Sequence, residues 1–149
     1  MSAKLPVSVL VVIHTAALDV LLLERARRAG YWQSVTGSLE RLQEPLVDSA
    51  RREVLEETGI DAASGRLERW QVANAFEIFA QWRHRFPPGT THNTEHVFGL
   101  RLPARVPVTL APQEHRAQAW LPWREAAQQC FSWSNRDAIR MLPARSAAA

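Results

Sequence analysis

The stretch Val7–Ile13, VSVLVVI, constrains the fold more than any other segment. It is β-branched and almost continuously apolar. A strand of that composition is buried on both faces, not on one. At seven residues, it is far short of the ~20 needed to cross a bilayer. The strand-like pattern begins almost at the N-terminus, which leaves no room for a secretory leader. Cytoplasmic placement is therefore the expectation.

The remaining segments fit such a centre. Val20–Arg25 reads as a second strand after a turn at Ala17–Asp19, and Trp32–Leu39 as strand and loop broken at Gly37. Pro45–Thr58 is the best helix. Pro45 suits its first position, Leu46, Ala50 and Val54 form its apolar stripe, and Gly59 stops it. Arg66–Val72, Phe76–Arg85 and Glu95–Leu102 read as strands, the last two flanking a turn at Pro87-Pro88-Gly89. His115–Leu121 reads as a short strand and Trp123–Cys130 as a helix. A last helix is expected to run to Leu142, capped by Ser134 or Asn135 and stopped by Pro143. Strands in a mixed sheet flanked by few helices indicate an α+β or layered α/β domain. No linker divides the 149 residues, so one domain over 1–149 is expected, with a frayed tail over Ala144–Ala149.

Composition narrows the chemistry. One cysteine, Cys130, excludes an intrachain disulfide framework and a cysteine metal cage. The net charge of +3, from 18 Lys+Arg against 15 Asp+Glu, suits a small anionic substrate better than nucleic acid. The five histidines show no metal-binding spacing.

The segment RREVLEETGI, Arg51–Ile60, is the chemically loaded part. On a helix, Glu53, Glu56 and Glu57 stand at i, i+3 and i+4 and share a face. Like charges so placed repel, and in the second half of a helix they also oppose the macrodipole. A hard divalent cation such as Mg²⁺ reverses both penalties. Taken alone, the cluster also reads as a solvated acidic face with an ordinary Arg52–Glu56 pair.

Gly37, Glu44 and then Arg52-Glu53-Val54-x-Glu56-Glu57-x-Gly59-Ile60 resemble the signature of the Nudix hydrolases, G-x5-E-x7-R-E-U-x-E-E-x-G-U, where U is a bulky aliphatic. Every defined position from Glu44 onward matches. Six residues, not five, separate Gly37 from Glu44, a one-residue insertion ahead of the helix. The resemblance implies a layered α/β/α fold with a catalytic loop–helix–loop at about 37–60. Further segments are similar to the branch of that family that cleaves 7,8-dihydroneopterin triphosphate to its monophosphate and pyrophosphate in folate biosynthesis. These are YWQSVTGS at Tyr31–Ser38, Phe76–Phe79, Arg83–Phe86, Asn93–Glu95, Ser132–Arg136 and the opening Lys4-x-Pro6-Val7-Ser8.

The resemblance implies roles residue by residue. Arg52, Glu53, Glu56 and Glu57 form the catalytic set, with Arg52 orienting the glutamates. Glu53, Glu57 and Glu114 are the implied ligands of Mg²⁺, with Mn²⁺ as a substitute, and Glu53, Glu56 or Glu114 is the base. Lys4, Arg25 and Thr36 are implied substrate contacts. Phe76, Glu77, Ile78 and Phe79 form the implied wall for a flat pterin ring, joined by Ser132. Phenylalanines in that pattern are also plain core alternation.

Three other readings stand beside this one. The first keeps the chemistry on nucleoside triphosphates such as oxidised dGTP or dATP. The second is a binding module without turnover, against which the intact carboxylate cluster argues. The third is RNA 5′-end hydrolysis, for which Arg83-His84-Arg85 is the only feature.

Overall fold

The computed structural model describes residues 3–147. Seven strands form one sheet: β1 Val7–Thr15, β2 Asp19–Arg25, β3 Trp32–Gln33, β4 Val35–Ser38, β5 Arg66–Glu77, β6 His92–Leu102 and β7 His115–Pro122. Four helices accompany them: α1 Leu46–Thr58, α2 Trp123–Gln129, α3 Trp133–Arg140 and α4 Leu142–Ala147.

β1 lies at the centre and is buried along almost its whole length, as its composition requires. Its alternate residues serve two cores. Val9, Val11 and Ile13 pack with Ala50 and Val54 of α1, whereas Leu10 and Val12 pack with Ala126 of α2 and Ile139 of α3. Helices therefore cover both faces, and the layered α/β/α architecture follows. β1 runs parallel to β6 and antiparallel to β2 and β4, so the sheet is mixed. No helix among the described residues is long and apolar enough to cross a membrane.

One edge of β1 is taken by β6. The other is shared: β4 pairs along Ser8–Val11, and β2 pairs at His14. The sheet forks there, with β3 and β7 following β2.

Three local expectations are corrected first. Arg66–Val72 and the start of Phe76–Arg85 are one strand, β5, carried through an irregularity between Arg69 and Ala73 where Gln71 has φ 59°. Ala80–Arg85 is not strand but 3₁₀ helix. In that conformation residues three apart share a side, so Phe79 and Trp82 meet edge to face at 5.1 Å; on a strand they would point to opposite faces. Pro45 precedes α1 as its cap, with ψ 137°, and does not open it.

The end of the chain also differs. Ser132, not Ser134 or Asn135, caps α3, because its extended backbone lets its hydroxyl accept from the Asn135 N–H at 3.3 Å. Pro143 does not stop a helix reaching Leu142; it sits in the first turn of α4, where its missing donor costs nothing. The frayed tail is thus helical through Ala147. Fully buried Leu142 anchors it, and the Arg145 guanidinium lies 5.8 Å over Trp70. Ala148 and Ala149 lie outside the described residues.

Candidate active site

A cavity of about 890 Å³ opens at the fork of the sheet. Its polar end begins with α1. Gly59 ends this helix in the left-handed conformation, φ 73°, and its N–H donates to the Leu55 carbonyl. Thr109 donates from its backbone to the Thr58 carbonyl at 2.9 Å, satisfying another helix-end acceptor. The helix register turns Glu53 and Glu57 inward and leaves Glu56 exposed.

Arg52 organises the acids. Its guanidinium donates to Glu44 twice, at 3.1 and 3.0 Å, to Glu53 at 2.8 Å and to the Ser38 carbonyl at 3.3 Å. Glu56 lies 3.5 Å away. The extra loop residue therefore does not keep Glu44 from its arginine. Glu44 is held below the usual carboxylate range by Arg52. The fork is charge-assisted on every arm, which fixes the Glu53 rotamer.

Gly37 gives Glu53 its place. A Cβ on residue 37 would overlap the Glu53 carboxylate. The glycine is needed here for close approach, not for backbone angle.

Glu57 is 1% exposed, and neither carboxylate oxygen has a hydrogen-bond partner. Burial, then the charge of Glu53, raises its pKa well above the ordinary value, with Glu114 and Glu56 adding to the effect. Burial also raises Glu53, opposed by Glu57 and Arg52. Glu114 and His115 arrive on a turn whose two N–H groups both donate to the Ala111 carbonyl, and Ala26 ties it to the end of β2. Glu57, Glu114 and His115 each offer one ligand atom, all within 4.8 Å of one another. Hard oxygens and one imidazole, two of the buried atoms unpartnered on Glu57 and one on His115, fit a divalent cation.

His115 was not legible as part of this group, since the histidine spacing gave no metal pattern. The fold, not the local spacing, carries its Nε2 to 3.7 Å from Glu57. Burial, then Arg25, pushes its pKa down to about 4, so the ring is neutral at pH 7 and this contact is not an ion pair.

The other expected residues fall around the same cavity. Lys4, Arg25, Thr36, Glu53, Phe76, Glu77, Ile78, Phe79, Glu114 and Ser132 all line it; Arg52, Glu56 and Glu57 do not. Arg25 lies 4.8 Å over the Trp82 ring and donates to Gln33 at 3.2 Å, and Gln33 donates on to Thr36 at 3.2 Å. Lys4 is pinned through its N–H to the Arg85 carbonyl at 2.8 Å. Burial, then Arg85, lowers its pKa. Ser132 accepts from Asn135 Nδ2 at 2.7 Å besides capping α3. The exposed Glu77 carboxylate is engaged by Arg83.

The apolar end has an aromatic wall. Phe76 meets Trp133 edge on at 6.5 Å, and Trp82 meets Phe131 at 6.3 Å. Trp82, Phe131, Asn93 and Glu95 line the cavity without having been singled out individually, and so does Asn135, which the sequence offered only as a helix cap. Glu95 offered a readable signal: an acid on a strand, two residues before the apolar run Val97–Leu100.

Comparison with known proteins agrees with this architecture. Residues 4–142 match the model of the NUDIX domain. The chain is 44% identical over 142 residues to the dihydroneopterin triphosphate diphosphatase of Escherichia coli K12, covering 93% of each chain. It is 34% identical over 137 residues to that of Haemophilus influenzae, covering 89% of this chain and 84% of the relative. The solved structure of the E. coli dihydroneopterin triphosphate pyrophosphohydrolase superposes with a TM-score of 0.87 at 43% identity, covering 95% of this chain and 97% of that one. With the signature helix, the forked sheet and matches across nearly its whole length, the chain belongs to the Nudix family and is a hydrolase of that family.

Proposed function

We propose that the chain is a single-domain, Mg²⁺-dependent pyrophosphohydrolase that converts 7,8-dihydroneopterin triphosphate to the monophosphate and pyrophosphate, a step of folate biosynthesis. The observation that carries this reading is one cavity with two unlike ends. An aromatic wall suits a flat heterocycle, and a carboxylate cluster flanked by Lys4 and Arg25 suits a metal-bound polyphosphate. Two relatives with the same activity in their names, 44% and 34% identical, support it.

Glu57, Glu114 and His115, with Glu53 beside them, would hold the metal. Mg²⁺ suits this oxygen-rich set, and Mn²⁺ would substitute. Bound there, a divalent cation supplies charge neutralisation to the phosphoryl oxygens. The chain's own residues do the rest. Arg52 keeps Glu53 and Glu44 in fixed rotamers. Lys4 and Arg25 receive phosphate charge in a partly buried setting, where such contacts gain strength. Glu53 or Glu114 accepts the proton of an attacking water in this reading, supported by their position on the cavity lining, whereas Glu56 pairs with Arg52. The proposed setting is cytoplasmic.

A substrate panel tests the proposal. Purified protein with Mg²⁺ is given dihydroneopterin triphosphate, dGTP, oxidised dGTP and dATP, and pyrophosphate and orthophosphate are measured. The pterin should show the highest kcat/KM, with one pyrophosphate per turnover. A higher value for any nucleoside triphosphate, or release of orthophosphate, would refute it.

A further inference from the structure

The apolar end of the cavity hides an acid with no countercharge. Glu95 is 4% exposed, lines the cavity, and its Oε1 has no hydrogen-bond partner. Burial pushes its carboxyl up to about 7, eased only by the Ser134 hydroxyl. An unpartnered buried carboxylate is costly. Two positions earlier on the same face of β6, Asn93 donates through Nδ2 to the Ser8 hydroxyl at 2.7 Å. Its Oδ1 is thereby left buried and unpartnered as well. The cavity wall thus presents two neighbouring buried acceptor oxygens, Glu95 Oε1 and Asn93 Oδ1, without hydrogen-bond partners.

We propose that Glu95, with Asn93 beside it, is the specificity-determining acceptor for a 2-amino-4-oxo heterocycle. This rests on the reading that the cavity takes a ring-bearing triphosphate. The edge of such a ring carries a ring N–H next to an exocyclic amino group, two parallel donors. A carboxylate accepts both in a planar fork, and Asn93 Oδ1 takes the second amino hydrogen. Pterin and guanine share this edge. Adenine does not: beside its amino group stands a ring nitrogen lone pair, which would face a carboxylate oxygen and repel it. Glu77, the other acid on this wall, is exposed and paired with Arg83, so it does not compete for the role.

The test is Glu95→Gln, which keeps the shape and replaces one acceptor with a donor. The kcat/KM ratio of dGTP to dATP should fall by about 10- to 100-fold, the loss expected for a charge-assisted hydrogen bond. The ratio for dihydroneopterin triphosphate against dATP should fall alike. An unchanged ratio, with both substrates losing equally or neither losing, would overturn the proposal. Binding settles it independently of turnover and of the variant's folding. Wild-type protein, titrated without metal, should bind neopterin and guanosine at least tenfold more tightly than adenosine; equal affinities would overturn it. A nucleotide preferred over the pterin in turnover would refute the proposed substrate while leaving the guanine-to-adenine comparison to judge Glu95.

Discussion

Glu95 also makes a prediction about stability that involves no ligand. Its carboxyl titrates near 7 in the folded protein and near 4.5 when free. Below pH 4.5 both states carry the proton and the residue costs nothing. Between 4.5 and 7 the unfolded chain releases the proton and the folded one retains it, so stability falls as pH rises. Above 7 the penalty is complete, at about 3 kcal/mol for a displacement of this size. Glu95→Gln abolishes this dependence. The unfolding free energy of the wild type minus that of the variant should therefore decline by about 3 kcal/mol from pH 4 to pH 8, equivalent to about 10 °C in Tm for a chain of this length. Urea titrations in chelator at half-unit pH steps would measure it, and the other titrating groups cancel in the difference. A difference that stays flat, or grows with pH, would refute the reasoning that Glu95 is buried without a countercharge.

Two more substitutions address the polar end. Glu57→Gln removes a carboxyl whose pKa burial and neighbouring acids hold high; above its ordinary range that carboxyl costs stability, so the variant should melt higher than wild type in chelator at pH 7. It should also lose the Tm rise that Mg²⁺ gives the wild type, about 2.7 kcal/mol at a hundredfold excess over Kd; a variant that still responds to Mg²⁺ would exclude the metal role. Gly37→Ala forces the Glu53 carboxylate aside by more than an ångström. A misplacement of that size should cut kcat by about 100-fold with the far-ultraviolet circular dichroism unchanged, and near-normal turnover would show that Glu53 need not sit there.

How much was legible depended on the range of the interactions. The acidic helix could be read because its geometry is local: residues three and four apart share a face wherever the helix lies, and Gly59 ended it where expected. β1 could be read because burial on both sides favours an almost wholly apolar run, with Ser8, His14 and Thr15 the buried polar exceptions. That Arg52 orients the glutamates of the helix followed from the family signature; that it also holds Glu44, across a loop one residue longer, emerges only in the folded chain. By contrast, His115 reaches Glu57 only because β7 pairs with β2 and places the preceding turn there. Glu95 lies in a segment matched to the family, yet its burial, with the Ser134 hydroxyl easing it and no cation beside it, emerges only in the folded chain. Ala80–Arg85 was misread because alternation of apolar and polar residues over so short a span suits a 3₁₀ turn as well as a strand. The C-terminal helix was missed because Pro143 was weighed as a stop, though the same ring is tolerated at a helix start.

The parallel pairing of β1 with β6 has a consequence for how the molecule comes into being. Val7 pairs with Thr94 and Thr15 with Leu102, so the first strand to leave the ribosome waits for one of the later ones. Local hairpins can form meanwhile, but the central ladder closes only after a long stretch of chain has been made, and closures of such span are slow. Until then a strand with so few polar residues to shield it is open to other chains, the interval in which aggregation competes with folding. Ser8 and Glu95 face each other across that ladder. The wall that carries the ring-reading acid therefore matures in the same late event that completes the sheet.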